Sequence, residues 1–303
     1  MTQILSILIQ NKSTISAWII LIGLVTLNSS CLTVNFFKMR ESNKEFNKGL
    51  SQKQKVIFEK YRIKRNKIRY CHNGSDSLPV VLFIHGAPAS ISFWKPFFQD
   101  SALTSIAELV AVDRPGYGYS SFGKLYLSYY TQAALISPII KKYGKCRKLI
   151  LVGSSYGGPL CALLAAQYPE YVSGLLLVSS SIAPGEENIW KITRLIDSPI
   201  GELFPRVLQV ATAEKVHHKR MLEEISGEWA KIKCPVIMLH GSQDDLIFPT
   251  NASYVFNKFK KAPKRITILG GLKHNIVVTR PELIVEKILK LLDGESEGSN
   301  RVQ

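Results

Sequence analysis

The stretch from Leu149 to Leu164 limits what this chain can fold into more than any other. Leu149-Ile150-Leu151-Val152 is a short, unbroken apolar run, which suits a strand covered on both faces of a sheet. It passes directly into Gly153-Ser154-Ser155-Tyr156-Gly157 and then into the apolar, helix-like Gly158-Pro159-Leu160-Cys161-Ala162-Leu163-Leu164. A strand that turns into a helix through G-x-S-x-G must bend sharply, and the bend lifts the central side chain above the sheet. Side chains two residues before and two after it would collide, so glycine is needed at Gly153 and Gly157. Ser155 is therefore the candidate nucleophile. Glycine-rich turns after strands are common; the strand on one side and the helix on the other give this one its weight.

The rest of the chain repeats the same alternation. Val56 to Arg69 reads as two short strands. Short apolar runs follow at Val80–Ile84, Leu109–Val112, Leu175–Val178 and Val236–Leu239, with a less apolar one at Arg265–Leu269. Helical patterns separate them at Ser128–Tyr143, Gly158–Tyr168, Asn251–Lys260 and Pro281–Leu292. Strand and helix in alternation predict a mostly parallel, doubly wound α/β sheet flanked by helices. The stretch 183–231 breaks the rhythm and predicts a small helical lid. The catalytic domain is expected over 53–295, with a disordered tail at 296–303. The 303 residues supply ample material for one large domain, and 46% apolar with 20% charged residues excludes a disordered or fibrous chain.

Three more segments carry chemistry. His85-Gly86-Ala87-Pro88 follows a strand directly. The backbone N–H groups of Ala87 and Tyr156 are placed by chain order to receive an oxyanion. His85 itself reads as a brace of that loop. After Pro235–Leu239 comes His240-Gly241-Ser242-Gln243-Asp244-Asp245, where a carboxylate could orient an imidazole. Asp244 is the preferred acid and Asp245 the alternative. After Arg265–Leu269, Gly270-Gly271-Leu272-Lys273-His274 brings a lone histidine to the sheet edge, the expected general base. The adjacent His217 and His218 read as solvated, and His72 as a turn residue. No spacing suggests a metal site, and no cofactor motif is present.

Together these residues resemble the α/β-hydrolase superfamily, whose nucleophile, acid and base follow in the chain order Ser155, Asp244, His274. The likeness spans roughly Tyr61 to Leu292 and includes Asp113-Arg114-Pro115-Gly116-Tyr117-Gly118-Tyr119-Ser120 after a core strand. Ser154 stands where many members have histidine. A serine at 155 separates the chain from the aspartate-nucleophile branches. The resemblance implies a serine hydrolase that cleaves a small-molecule ester through an acyl-enzyme. The alternatives are an acyltransferase or C–C hydrolase using the same triad, or a catalytically silent binding protein on this fold. Phe93, Trp94, Phe97 and Trp190 could line an acyl pocket or simply fill the core.

The N-terminus speaks to location. The formal net charge is +16, but Lys38 to Arg69 alone carries twelve basic residues against three acids, a net +9. Ahead of it, no charge occurs between Lys12 and Lys38, and Ala17–Leu27 is densely apolar. That run matches the apolar region of a signal peptide, about 7–15 residues, better than a membrane span of about 20. Asn28-Ser29-Ser30-Cys31 follows it and resembles a bacterial lipoprotein signal, with Asn28 where that pattern has leucine. Lipidation at Cys31, an uncleaved anchor and a cleaved secretory signal are the three readings of residues 1–31. All put the chain at or across a membrane, with 32–52 as a basic stalk favoured by anionic head groups. Nucleic-acid binding is disfavoured, because the basic excess hugs the apolar N-terminus and no recognition motif appears. The five cysteines include no C-x-x-C pair. Cys161 and Cys234, set in apolar runs, are expected as buried free thiols.

Overall fold

The computed structural model describes residues 39–51, 54–294 and 301–302. The apolar run, Cys31 and the signal or anchor at 1–31 lie outside the described residues, as does the stalk up to residue 38. The chain divides into one unit ending at Met39 and another running from Arg40 to Gln303. Among the described residues, no helix is long and apolar enough to cross a membrane.

The apolar runs become strands of one nine-stranded sheet. They are β1 (Ile57–Ile63), β2 (Asn66–His72), β3 (Val80–Ile84), β4 (Glu108–Val112), β5 (Leu149–Ser154), β6 (Gly174–Val178), β7 (Val236–Gly241), β8 (Lys264–Leu269) and β9 (Arg301–Val302). Their order is β1-β2-β4-β3-β5-β6-β7-β8-β9. β2 pairs antiparallel with β1 and β4, and all other neighbours are parallel. The chain steps from β3 outward to β4 and then returns to the other side of β3 as β5. The loops leaving β3 and β5 therefore diverge at a topological switch point, where such sheets open a crevice.

Ten α-helices lie among the described residues: α1 (Asn43–Asn47), α2 (Lys95–Gln99), α3 (Ser101–Ile106), α4 (Tyr129–Gly144), α5 (Gly157–Gln167), α6 (Lys191–Ile196), α7 (Arg206–Ile225), α8 (Thr250–Lys258), α9 (Ile276–Thr279) and α10 (Pro281–Asp293). The period of two along β3 shows how the two faces are covered. Val80, Leu82 and Ile84 join the core under α4, α5 and α8, whereas Val81 and Phe83 join the core under α2 and α10. An unbroken apolar strand is what this double coverage demands.

Four expectations change. First, the basic stalk does not reach residue 52. Ser42 and Glu45 form a reciprocal capping box that starts α1, and Phe46, Leu50 and Val56 are buried in the α2/α10 core. The domain thus begins near Arg40, and the excess charge lies largely on the surface of the β1–β2 hairpin, where Lys60, Arg62, Lys64 and Arg65 are exposed. Second, the 183–231 segment is a lid only in its first half. Met221, Leu222, Ile225 and Trp229 are buried in the α4/α5 core. Third, the tail is not wholly irregular, since Arg301–Val302 adds a short parallel strand to β8. An edge strand with unpaired backbone groups accepts such an addition readily. Fourth, His72 ends β2 instead of standing in a turn, and it lies 2.9 Å from Glu108 and 3.2 Å from Glu59.

Candidate active site

The turn between β5 and α5 is tight because four backbone segments meet there. Ser155 sits at φ 50°, in the left-handed region that costs a β-carbon residue about 1–2 kcal/mol. The turn is held by bonds from Ser155 N–H to the Val178 carbonyl (3.0 Å) and from Gly158 N–H to the Ser155 carbonyl (3.0 Å). A Cβ on Gly157 would lie 2.2 Å from the Ile84 carbonyl oxygen, and one on Gly153 would lie 2.8 Å from the Gly157 carbonyl oxygen. The requirement for glycine on both sides of the serine is thus met by main chain that cannot yield.

The loop leaving β3 comes up against this turn. A Cβ on Gly86 would stand 2.9 Å from Ser155 Cβ and 3.6 Å from its Oγ. Ala87 is the next residue in this loop. His85 braces the loop from beneath. Its Nε2 accepts the Arg114 N–H at 2.9 Å, so its Nδ1 carries the proton and donates to the Gly86 carbonyl at 2.7 Å. Burial, with the Arg114 charge nearby, pushes His85 down to about 3, so the ring stays neutral.

The loops leaving β7 and β8 are joined to each other. A Cβ on Gly241 would lie 2.3 Å from the Leu272 carbonyl oxygen. Gln243 N–H donates to that same oxygen at 2.9 Å, and Ser242 N–H to the Leu269 carbonyl at 3.0 Å. This brings Asp244 Oδ2 to 2.8 Å from His274 Nδ1. The other carboxylate oxygen accepts N–H bonds from Leu246 (3.1 Å) and Ile247 (2.9 Å). Burial pushes the Asp244 carboxyl up, but the His274 hydrogen bond and charge, with the Ile247 amide, outweigh it and hold it below the usual carboxylate range. Asp245 is exposed, and the structure brings His274 to Asp244 instead. Behind the pair, fully buried His240 donates Nε2–H to the Ile247 carbonyl at 2.9 Å.

A family model described as alpha/beta hydrolase fold matches residues 79–219, and the sheet, the serine turn and the loop order above are those of that fold. The chain has the α/β-hydrolase fold. Among curated relatives, it is 25% identical to Protein ABHD8 of Homo sapiens over 205 residues, 57% of this chain and 46% of that protein. It is 26% identical to monoacylglycerol lipase abhd6-B of Xenopus laevis over 246 residues, 67% of this chain and 72% of that one. The match to ABHD8 thus spans less than half of that protein's length. Among solved structures, a membrane phospholipase A described as a novel bacterial virulence factor superposes with TM-score 0.64 at 23% identity, covering 92% of this chain and 99% of that one.

Other parts of the structure depart from the sequence reading. His218 is fully buried instead of solvated. Its ring stacks on Tyr156 at 4.1 Å, its Nε2 lies 3.1 Å from the Ser181 carbonyl, and its Nδ1 lies 3.2 Å from the Tyr129 hydroxyl. Burial pushes it down to about 3. The clue was present, because Met221, Leu222 and Ile225 follow His218 at helical spacings of three, four and seven, placing it on the buried face. Glu214, also unnoticed in the sequence, receives bonds from buried Arg114, Tyr117 and Gln132 and so fastens α7 to the body of the fold.

The four aromatics separate. Trp94 and Phe97 pack on Phe83 in the core, Phe93 is half-buried, and Trp190 is 53% exposed. Cys71, Cys146, Cys161 and Cys234 are free thiols. Cys161 is buried as expected, Cys234 is only partly covered, and Cys146 is exposed. Among the described residues, no group of histidines, cysteines and carboxylates is arranged to hold a metal ion.

Proposed function

We propose that this hydrolase cleaves a carboxylic ester, or a related acyl bond, through a Ser155–His274–Asp244 triad and an acyl-enzyme. The observation that carries the reading is the 2.8 Å bond between His274 Nδ1 and Asp244, on loops of the same sheet edge as the Ser155 turn. With Nδ1–H given to Asp244, the His274 Nε2 lone pair is free to take the Ser155 proton. Ser155 Oγ then attacks the acyl carbon, and the amide N–H groups of Ala87 and Tyr156 receive the oxyanion. A single such donor is worth roughly 3–4 kcal/mol in the transition state. The imidazolium returns its proton to the leaving alkoxide. Water, deprotonated by His274, resolves the acyl-enzyme and frees the serine.

Two considerations favour an apolar acyl substrate at a lipid surface. The relatives include proteins named as a monoacylglycerol lipase and a membrane phospholipase A. The lid also exposes Ile189, Trp190, Ile192, Leu195, Ile200 and Leu203 in one short stretch, with Lys191 and Arg194 between them to meet anionic head groups. The N-terminal segment would add a second attachment. Mass spectrometry of the mature N-terminus is expected to find acylated Cys31, and an intact Met1 would rule out the lipoprotein form.

The central test is covalent labelling by a fluorophosphonate. The adduct is expected on Ser155, absent in Ser155→Ala, and formed at least about 10²-fold more slowly in His274→Ala, the usual worth of a general base. Folded wild type that fails to label would overturn the acyl-enzyme mechanism.

A further inference from the structure

Glu187 stands between the two halves of the proposed site, yet no step above uses it. Its main chain forms an isolated antiparallel bridge with Ile247, the residue whose N–H holds Asp244 at 2.9 Å. The bridge is flanked by bonds from Asn188 N–H to the Leu246 carbonyl (2.9 Å) and from Phe248 N–H to the Glu186 carbonyl (3.1 Å). Its side chain turns the other way and accepts the Tyr156 hydroxyl. Tyr156 follows the nucleophile directly, and its ring lies on His218, which meets the Ser181 carbonyl. Ser181 N–H in turn donates to the Ser155 carbonyl at 3.2 Å.

We infer that Glu187 is a positioning residue that ties the nucleophile turn, through Tyr156, to the loop that carries Asp244. The inference rests on the triad proposed above. It also accounts for a carboxyl kept inside the protein, where an apolar residue of similar size would cost less. The groups that face it are Tyr156 at the start of α5, Tyr129 on α4, and Lys215 on α7, with neutral His218 behind the Tyr156 ring. Burial pushes Glu187 up to about 7, against the Tyr156 hydrogen bond and the Lys215 charge, which lower it. Above that pH the carboxylate accepts the Tyr156 proton as an anion; below it, the carboxyl is neutral and the tie is weaker.

The test uses the full chain with p-nitrophenyl butyrate as substrate and hydrogen exchange as a readout independent of turnover. Glu187→Ala is expected to lower kcat about 10- to 100-fold with KM within about threefold, as small misplacements of reacting groups do. Isosteric Glu187→Gln should restore kcat to within about threefold and remove the part of the pH profile centred near 7. The double variant Glu187→Ala/Tyr156→Phe should be no slower than Glu187→Ala alone, because both changes cut one tie. In Glu187→Ala, exchange should quicken together in the Ser155 turn and in the segment 241–248. Unchanged exchange in either segment, kcat within twofold of wild type, or multiplying effects in the double variant would overturn the inference. Loss of fluorophosphonate labelling in wild type is a separate result, which strikes the triad and not the tie.

Discussion

At the scale of single residues, the site is built from positions where one atom more cannot be fitted. A methyl group on Gly157 meets main-chain oxygen at 2.2 Å, whereas nothing lies within 4 Å of a Cβ on Gly227. Gly157→Ala is therefore expected to cost about 1–3 kcal/mol in urea unfolding, and Gly227→Ala to stay within about 0.5. The competing carboxylates divide in the same way. Asp244→Asn is expected to lower kcat by several orders of magnitude, since it removes the acceptor of the His274 Nδ1–H, while Asp245→Asn leaves kcat within about twofold. Equal losses would remove the basis for choosing Asp244. Ser155, its glycines and the His274 loop were legible in the sequence because main-chain geometry dictates them locally. Glu187 was not, because it lies in an irregular stretch with no period, and its partner Tyr156 is far from it in the chain.

At the scale of elements, α1 shows how charge can mask a fold signal. Lys44 and Lys48 made the segment read as a solvated stalk. Phe46 nevertheless packs edge-on against Phe58 and Phe98, with ring centroids 5.5 and 5.7 Å away. Arg69, reaching across from β2, bonds Asn43 at 2.9 Å and Asp113 at 3.2 Å. Phe46→Ala is expected to destabilise the protein by about 3–5 kcal/mol and Ser42→Ala by about 1 kcal/mol, read from thermal or urea melts. A neutral Phe46→Ala would show that α1 is not part of the domain. The parallel strands β3 to β8, by contrast, were placed to within two residues, since a buried parallel sheet leaves an unbroken apolar run. The second half of the lid was misread because α7 is polar on its outer face, and its tether, the Arg114–Glu214 pair, joins residues a hundred positions apart.

At the scale of the whole molecule, two buried neutral histidines contribute to the response to acid. His85 and His218 ordinarily titrate near 6.5, and burial holds both at about 3 in the folded state. In the unfolded chain both take up protons as the pH falls below 6.5, and the folded protein does not. Their contribution to stability is therefore full above 6.5 and is lost progressively down to about 3, at roughly 1.4 kcal/mol per pH unit for each histidine within the window. Urea midpoints measured from pH 7 to pH 4 should show this slope reduced by the proton that folded Glu187, pushed up to about 7, keeps over much of the same range, and His218→Gln should flatten it by about one proton more. Ser155 makes a different demand on the same total. Held at φ 50°, it asks the fold to keep a conformation that a glycine would adopt freely. Ser155→Gly should accordingly melt a few degrees higher than Ser155→Ala, which keeps the strain. Folding and chemistry thus make opposite requests of one residue. A library sorted for stability alone would discard Ser155 first, so a search for sturdier variants must screen for fluorophosphonate labelling, the test of the proposed nucleophile, in the same round.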